Sequence, residues 1–100
     1  MKAMTAQVTD NPSRQRYELQ AEGGLALAYY EPRGDALVFT HTIVPEKLRG
    51  AGIASALIKG ALADVRRRGL KLVAQCPFVA RYIERHPEEQ DLLADAAWRR

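Results

Sequence analysis

The chain changes hydrophobic period three times, and each change marks an element. Residues 1–15, with Asp10-Asn11-Pro12-Ser13 at their centre, are polar and rich in turn-formers, which predicts a loose lead-in. Arg16-Tyr17-Glu18-Leu19-Gln20 alternates with period two and predicts a strand. Gly23-Gly24 follows as a hairpin turn, and Leu25–Tyr30 reads as a second strand. After a turn at Pro32-Arg33-Gly34-Asp35, Ala36–Val44 is the clearest strand, rich in β-branched and aromatic residues. It is apolar on both faces, so it is expected to be central and covered on each side. Three strands joined by short turns predict an antiparallel meander.

The period then shifts to that of a helix. Ile53, Ala54, Leu57, Ile58, Ala61, Leu62 and Val65 form one apolar seam, with Lys59, Asp64, Arg66 and Arg67 opposite. Arg66-Arg67-Arg68 suits the negative end of the helix dipole, and Gly69 is a C-terminal stop. Leu70–Cys76 returns to a strand pattern. With a helix between it and Ala36–Val44, the two strands are expected to run parallel, joined by a right-handed crossover. Pro77 opens another helix, with Phe78, Val79, Tyr82 and Ile83 apolar, and His86-Pro87 ends it. Glu88-Glu89-Gln90-Asp91 starts a last short helix towards Trp98. The fold class is α/β (α+β): a mixed sheet, a helical crossover and two C-terminal helices, forming one domain over residues 16–100.

Composition narrows this picture. One hundred residues, 47% apolar and 27% charged, can bury one core and leave little for a second domain. Any ligand must therefore sit in a groove of that core. The net charge of +3 suits a polyanionic small molecule as well as it suits nucleic acid. A single cysteine forms no internal disulfide and suggests a reducing compartment. The N-terminus has no apolar run of signal-peptide length, and no stretch reaches membrane-spanning length. The expected location is cytoplasmic, with no membrane partner. Arg66-Arg67-Arg68 and Arg99-Arg100 are short runs without interleaved aromatics. They predict a solvated helix end and no nucleic-acid partner.

The segment Pro45-Glu46-Lys47-Leu48-Arg49-Gly50-Ala51-Gly52-Ile53-Ala54 joins the central strand to the long helix. The first N–H groups of a helix lack intrahelical partners and point outwards with the positive end of the dipole. Glycines before them let a phosphate approach the backbone. Lys47 and Arg49 add positive charge, and a diphosphate is the expected guest. Gly50 and Gly52 alone favour a plain tight turn into the helix; the buried strand, flanking cations and helix around them shift the reading to an anion site. A P-loop would need Gly-Lys-Ser/Thr, which is absent. A dinucleotide fingerprint would need a third glycine or alanine where Ser55 stands and an acid where Cys76 stands.

A third kind of anion loop fits at every position: Arg49-Gly50-Ala51-Gly52-Ile53-Ala54 resembles the acetyl-coenzyme A loop of the GNAT N-acetyltransferase superfamily. The likeness runs from about Tyr17 to Leu93 and is strongest to that superfamily's minimal single-domain branch. It also rests on His41-Thr42-x-Val44-Pro45, on Cys76-Pro77-Phe78, and on Tyr82-Ile83-x-Arg85-His86-Pro87. The resemblance implies a sheet splayed between two parallel strands, with the pantetheine arm in the gap. It implies acetyl-coenzyme A as co-substrate and a primary amine as acceptor. Val44, Arg49, Gly50, Ala51, Gly52, Ile53 and Ala54 would bind the coenzyme. In this branch a glutamate often lies between the threonine and the valine, where Ile43 stands, which removes one general base.

Three residues remain as catalytic candidates, each with a structural alternative. Tyr82 falls where related enzymes carry a tyrosine acid for the departing thiolate, and it also fits the apolar face of its helix. Cys76, at the N-cap before Pro77, would be favoured as a thiolate nucleophile by the dipole, or it is a small buried hydrophobe. His41 is placed by alternation on the face of Phe39 and Ile43, either as an amine base or as a core imidazole. His86 reads as a helix end. Two isolated histidines and one cysteine have no metal-ligand spacing. Two functions follow: an amine acetyltransferase, or a non-catalytic or self-acylating coenzyme A-binding module.

Overall fold

A computed structural model describes residues 7–50 and 52–94. Five strands form one sheet in chain order: β1 (Val8–Asn11), β2 (Arg16–Ala21), β3 (Gly24–Arg33), β4 (Ala36–Ile43) and β5 (Lys71–Ala74). The first four are antiparallel neighbours, and β4 pairs with β5 in parallel. Helix α1 (Ile53–Arg67) makes the crossover between them, and α2 (Pro77–Arg85) follows β5. The mixed sheet and parallel crossover match the pattern of periods.

Two boundaries depart from expectation. Val8–Asn11 is an edge strand paired with Arg16–Leu19, and Pro12–Arg14 is a 3-10 turn, so this part of the lead-in is ordered and the meander has four strands. An edge strand buries only half a face, so one apolar residue, Val8, is enough to seat it. At the other end, Pro87–Leu92 forms a 3-10 helix. Leu93 leaves it in extended conformation and bridges Leu72, so the helix expected to run towards Trp98 stops at Leu92; residues after 94 lie outside the described residues.

One core holds the sheet to the helices. Leu57, Ile58, Ala61, Leu62 and Val65 of α1 are fully buried against Tyr17, Leu19, Ala26, Ala28, Phe39 and Leu72. Each large side chain there contributes about 1.5–3 kcal/mol by leaving water. Tyr17 stacks on Phe39 with ring centroids 6.0 Å apart. Its hydroxyl donates to Asp64 at 2.7 Å, and the Tyr30 hydroxyl donates to Asp10 at 2.6 Å. Arg68 closes this network, with Nε 2.9 Å from Asp64 and Nη2 2.9 Å from Asp10 Oδ2. The Asp10 contact is charge against charge, since Asp10 Oδ2 receives no straight hydrogen bond.

Asp64 is therefore half-buried under the sheet and not on the solvent side of α1. The arginine run is likewise engaged: Arg66 grips Asp91 with two bonds of 2.8 and 2.9 Å and also reaches Glu89. All three arginines stay exposed, as a solvated helix end requires, while Arg66 and Arg68 also tie α1 to the C-terminal 3-10 helix and to β1.

The reverse face of the sheet is only partly covered. Ala36, Val38 and Val73 pack with Ala94, whose N–H donates to Leu72 O at 2.8 Å. Further along β4, Ile43 is 47% exposed, so β4 is central but covered on both faces only in its first half.

Candidate functional site

The site begins where β4 and β5 part. Their register ends at Phe39 beside Ala74, and the Gln75 and Cys76 N–H groups both donate to Phe39 O, at 3.1 and 2.8 Å. Beyond this pivot β5 turns into α2, while β4 continues to Ile43 paired only with β3. One flank of β4 then has no strand beside it.

Between Tyr29 and Tyr30 the β3–β4 register slips by one residue, pairing Tyr30 with Phe39 and Tyr29 with His41. A bulge of this kind reverses side-chain alternation downstream. Phe39 stays in the core, and Thr42 and Val44 turn towards α1 and α2, where they line a cavity. His41 goes to the opposite face. It is exposed, stacked on Tyr29 at 4.6 Å, with Nδ1 3.1 Å from Thr40 Oγ1. The expectation that His41 shares the face of Phe39 is corrected, because strict alternation takes no account of the extra residue.

The loop after β4 is held from below. Glu46–Leu48 forms a 3-10 turn, and Leu48 is buried at 6% exposure. The hairpin turn beneath is close: a Cβ on Gly24 would lie 2.8 Å from Pro45 Cγ. Gly50 and Gly52 then take φ of 84° and 74°, the left-handed region that favours glycine. A Cβ at either would meet no protein atom within 4 Å. Both glycines therefore border open space. Gly52 caps α1 without any side-chain bond, and the first helical bond runs from Ala56 N–H to Gly52 O at 3.0 Å. The N–H groups of Ile53, Ala54 and Ser55 are left unpartnered within the helix.

These elements enclose a cleft of about 390 Å³. Thr42 and Val44 form its strand wall, and Leu48, Arg49 and Gly50 its loop wall. The first turn of α1 from Gly52 to Ser55 and the exposed ring of Phe78 complete it. Val44, Arg49, Gly50, Gly52, Ile53 and Ala54 are thus gathered as expected, while Ala51 lies outside the described residues. Among the described residues, Lys47 and Arg49 enter no ion pair. Thr42, Leu48, Ser55 and Phe78 had been given no role. Only their place in the motifs, and an exposed aromatic after Pro77, hinted at one.

The three catalytic candidates are not brought together. Cys76 is buried at 3% exposure, with Sγ 3.4 Å from the Thr42 hydroxyl, one side chain behind the cleft. Its thiol makes no cap hydrogen bond to α2. Tyr82 lines a small neighbouring cavity that shares Ser55 and Phe78 with the cleft. Its ring stacks on His86 at 3.9 Å, and burial, with Glu89 and Glu88 nearby, raises its pKa above the ordinary phenol value. His86 Nδ1 lies 2.8 Å from Tyr82 O, which agrees with a helix-end role.

A splayed parallel strand pair, a glycine loop and an uncapped helix N-terminus thus meet in one cleft. Residues 16–92 match the family model described as GCN5-related N-acetyl-transferase. The chain is 34% identical over 89 residues to Protein NATD1 of Gallus gallus, covering 86% of this chain and 81% of that protein. It is 33% identical over 88 residues to Protein NATD1 of Mus musculus, covering 85% and 80%. A solution structure from Staphylococcus aureus, described as GCN5-like, superposes with a TM-score of 0.68 over 92% of this chain and 91% of that one, at 21% identity; it shares the fold. The chain belongs to the GCN5-related N-acetyltransferase family and is an acyltransferase by that membership.

Proposed function

We propose that this protein binds acetyl-coenzyme A in the β4–α1–α2 cleft and transfers the acetyl group to a primary amine. The observation that carries this reading is the open, unobstructed approach to Gly50 and Gly52 in front of three unpartnered helix N–H groups. Those donors, with Arg49 in the same lining, suit a diphosphate. Thr42, Val44 and Phe78 offer a narrower, mostly apolar wall, suited to an alkyl amide arm. The bound co-substrate supplies a thioester, whose C–S bond breaks as the amine nitrogen forms the amide, with the amine proton passing to the thiolate. Burial keeps the Tyr82 phenol protonated, the state required of an acid serving that thiolate.

Acetyl-coenzyme A is expected to raise the melting temperature of the wild type, and Arg49→Glu to abolish the rise. No shift with the wild type would refute the binding.

A second reading, binding without turnover, rests on one feature: the described cleft lining contains neither a carboxylate nor an imidazole. Direct transfer would then need an amine that arrives unprotonated. An amine panel assayed from pH 7 to pH 10 separates the two readings, since binding alone yields no amide at any pH. Acetyl transfer to Cys76, read by mass spectrometry, marks the self-acylating case.

A further inference from the structure

Arg81 and Arg85 are exposed on α2, four residues apart on one helix face. Like charges at that spacing destabilise a helix. Among the described residues, Arg16, Arg33, Arg66, Arg67 and Arg68 each enter an ion pair, whereas Arg81 and Arg85 enter none. With Ser55, Phe78, Tyr82 and His86 they line a cavity of about 60 Å³, and no carboxylate belongs to that described lining. It has room for a compact group of a few heavy atoms. Glu88 and Glu89 act on Tyr82 from the 3-10 helix beyond, but Glu89 is held by Arg66. The guanidiniums are left in excess. Tyr82, the acid assigned to the departing thiolate, lines this cavity, and Ser55 and Phe78 continue into the coenzyme cleft. The cavity therefore adjoins the thiol end of the cleft, where the acceptor must bring its nitrogen.

We propose that Arg81 and Arg85 hold a carboxylate on the acceptor, so that the substrate is a small amino acid with its amine a few carbons from that group. This rests on the acetyltransferase reading above and names the acceptor class for the same site. The planar guanidinium fork matches the two oxygens of a carboxylate, and the bonds are charge-assisted. A carboxylate is favoured over a phosphate because Ser55 belongs to the first turn of α1, beside the expected diphosphate. A single charge meets less repulsion there than a dianion. An amine with a second cation in place of the carboxylate is repelled by the same pair. Both effects weaken as salt rises, since the two arginines are exposed.

Calorimetry on the full chain tests this without requiring turnover. Coenzyme A is titrated first, and its failure to bind would overturn the coenzyme reading and the acceptor subsite with it. The coenzyme A-saturated protein is then titrated with γ-aminobutyrate, butylamine, putrescine and aminopropyl phosphate. γ-Aminobutyrate is expected to bind about tenfold more tightly than butylamine at low salt, with putrescine weakest. Arg81→Gln and Arg85→Gln are each expected to reduce that preference and together to abolish it. Both positions are exposed, and circular dichroism checks the fold. Arg33→Gln, at the end of β3, removes the same charge and should keep the preference. Equal binding of γ-aminobutyrate and butylamine would overturn the subsite and leave the coenzyme reading standing. So would a preference that survives the double substitution or is lost equally in Arg33→Gln. Tighter binding of aminopropyl phosphate than of γ-aminobutyrate would overturn the assignment to a carboxylate.

Discussion

Gly60 sits in the middle of α1, where glycine costs about 1 kcal/mol relative to alanine, so Gly60→Ala would stabilise the helix in isolation. The sheet reverses that sign. A Cβ at Gly60 would lie 2.4 Å from Val8 Cγ2 and 2.6 Å from Val8 Cβ, well inside contact distance. Overpacking of this degree costs about 1–3 kcal/mol. Subtracting the propensity gain leaves a net loss of about 1 kcal/mol, and a larger loss is limited because the four-residue edge strand β1 can yield. For a domain of this size that corresponds to a fall in Tm of about 4–8 °C. The same substitution in a Val8→Gly background, which removes the Cβ as well as the methyls, should lose the clash, keep the propensity gain and raise stability by up to about 1 kcal/mol. Urea denaturation of the wild type, both single variants and the double variant measures the coupling. A stabilising Gly60→Ala in the wild-type background, or equal effects in both backgrounds, would refute the close approach of α1 to β1.

Tyr17 has its pKa pushed up by burial and by its bond to Asp64. Its phenol stays protonated in the folded state while the unfolded one ionises near pH 10. The resulting stability is present below that pH and lost above it, by about 1.4 kcal/mol per pH unit. Denaturation at pH 8 and pH 11 should show a shallower loss for Tyr17→Phe; an unchanged loss would rule out this origin. At neutral pH the same variant should be less stable by about 1–3 kcal/mol, because Asp64 loses a donor. Gly52→Ala meets no neighbour, so only its left-handed φ opposes it. It should cost about 1–2 kcal/mol and weaken acetyl-coenzyme A binding further, which calorimetry separates from stability. Tyr82→Phe should lower kcat by about a hundredfold with KM little changed if its hydroxyl is the acid; unchanged kcat would leave Tyr82 a packing residue.

Much of this protein was determined locally. The seam from Ile53 to Val65, the hairpin at Gly23-Gly24 and the Pro77 helix start are each encoded by neighbours a few residues apart, and each stands where the sequence placed it. The glycine loop was legible for the same reason: its shape depends on its own φ angles and on the helix that follows. Tertiary structure decided what the local pattern could not carry. The slip at Tyr29/Tyr30 is a matter of which partner takes which hydrogen bond, so His41 left the face that alternation assigned to it. Residues 8–11 read as part of a loose lead-in until Gly60 gave Val8 a place against α1. Asp64 read as solvent-facing until the Tyr17 hydroxyl reached it from another strand. The cleft exists only because β4 and β5 part at Phe39, and its meeting with the cavity lined by Tyr82 depends on the packing of α2 beside α1. Contacts of that kind join residues far apart in the chain, and no local period records them.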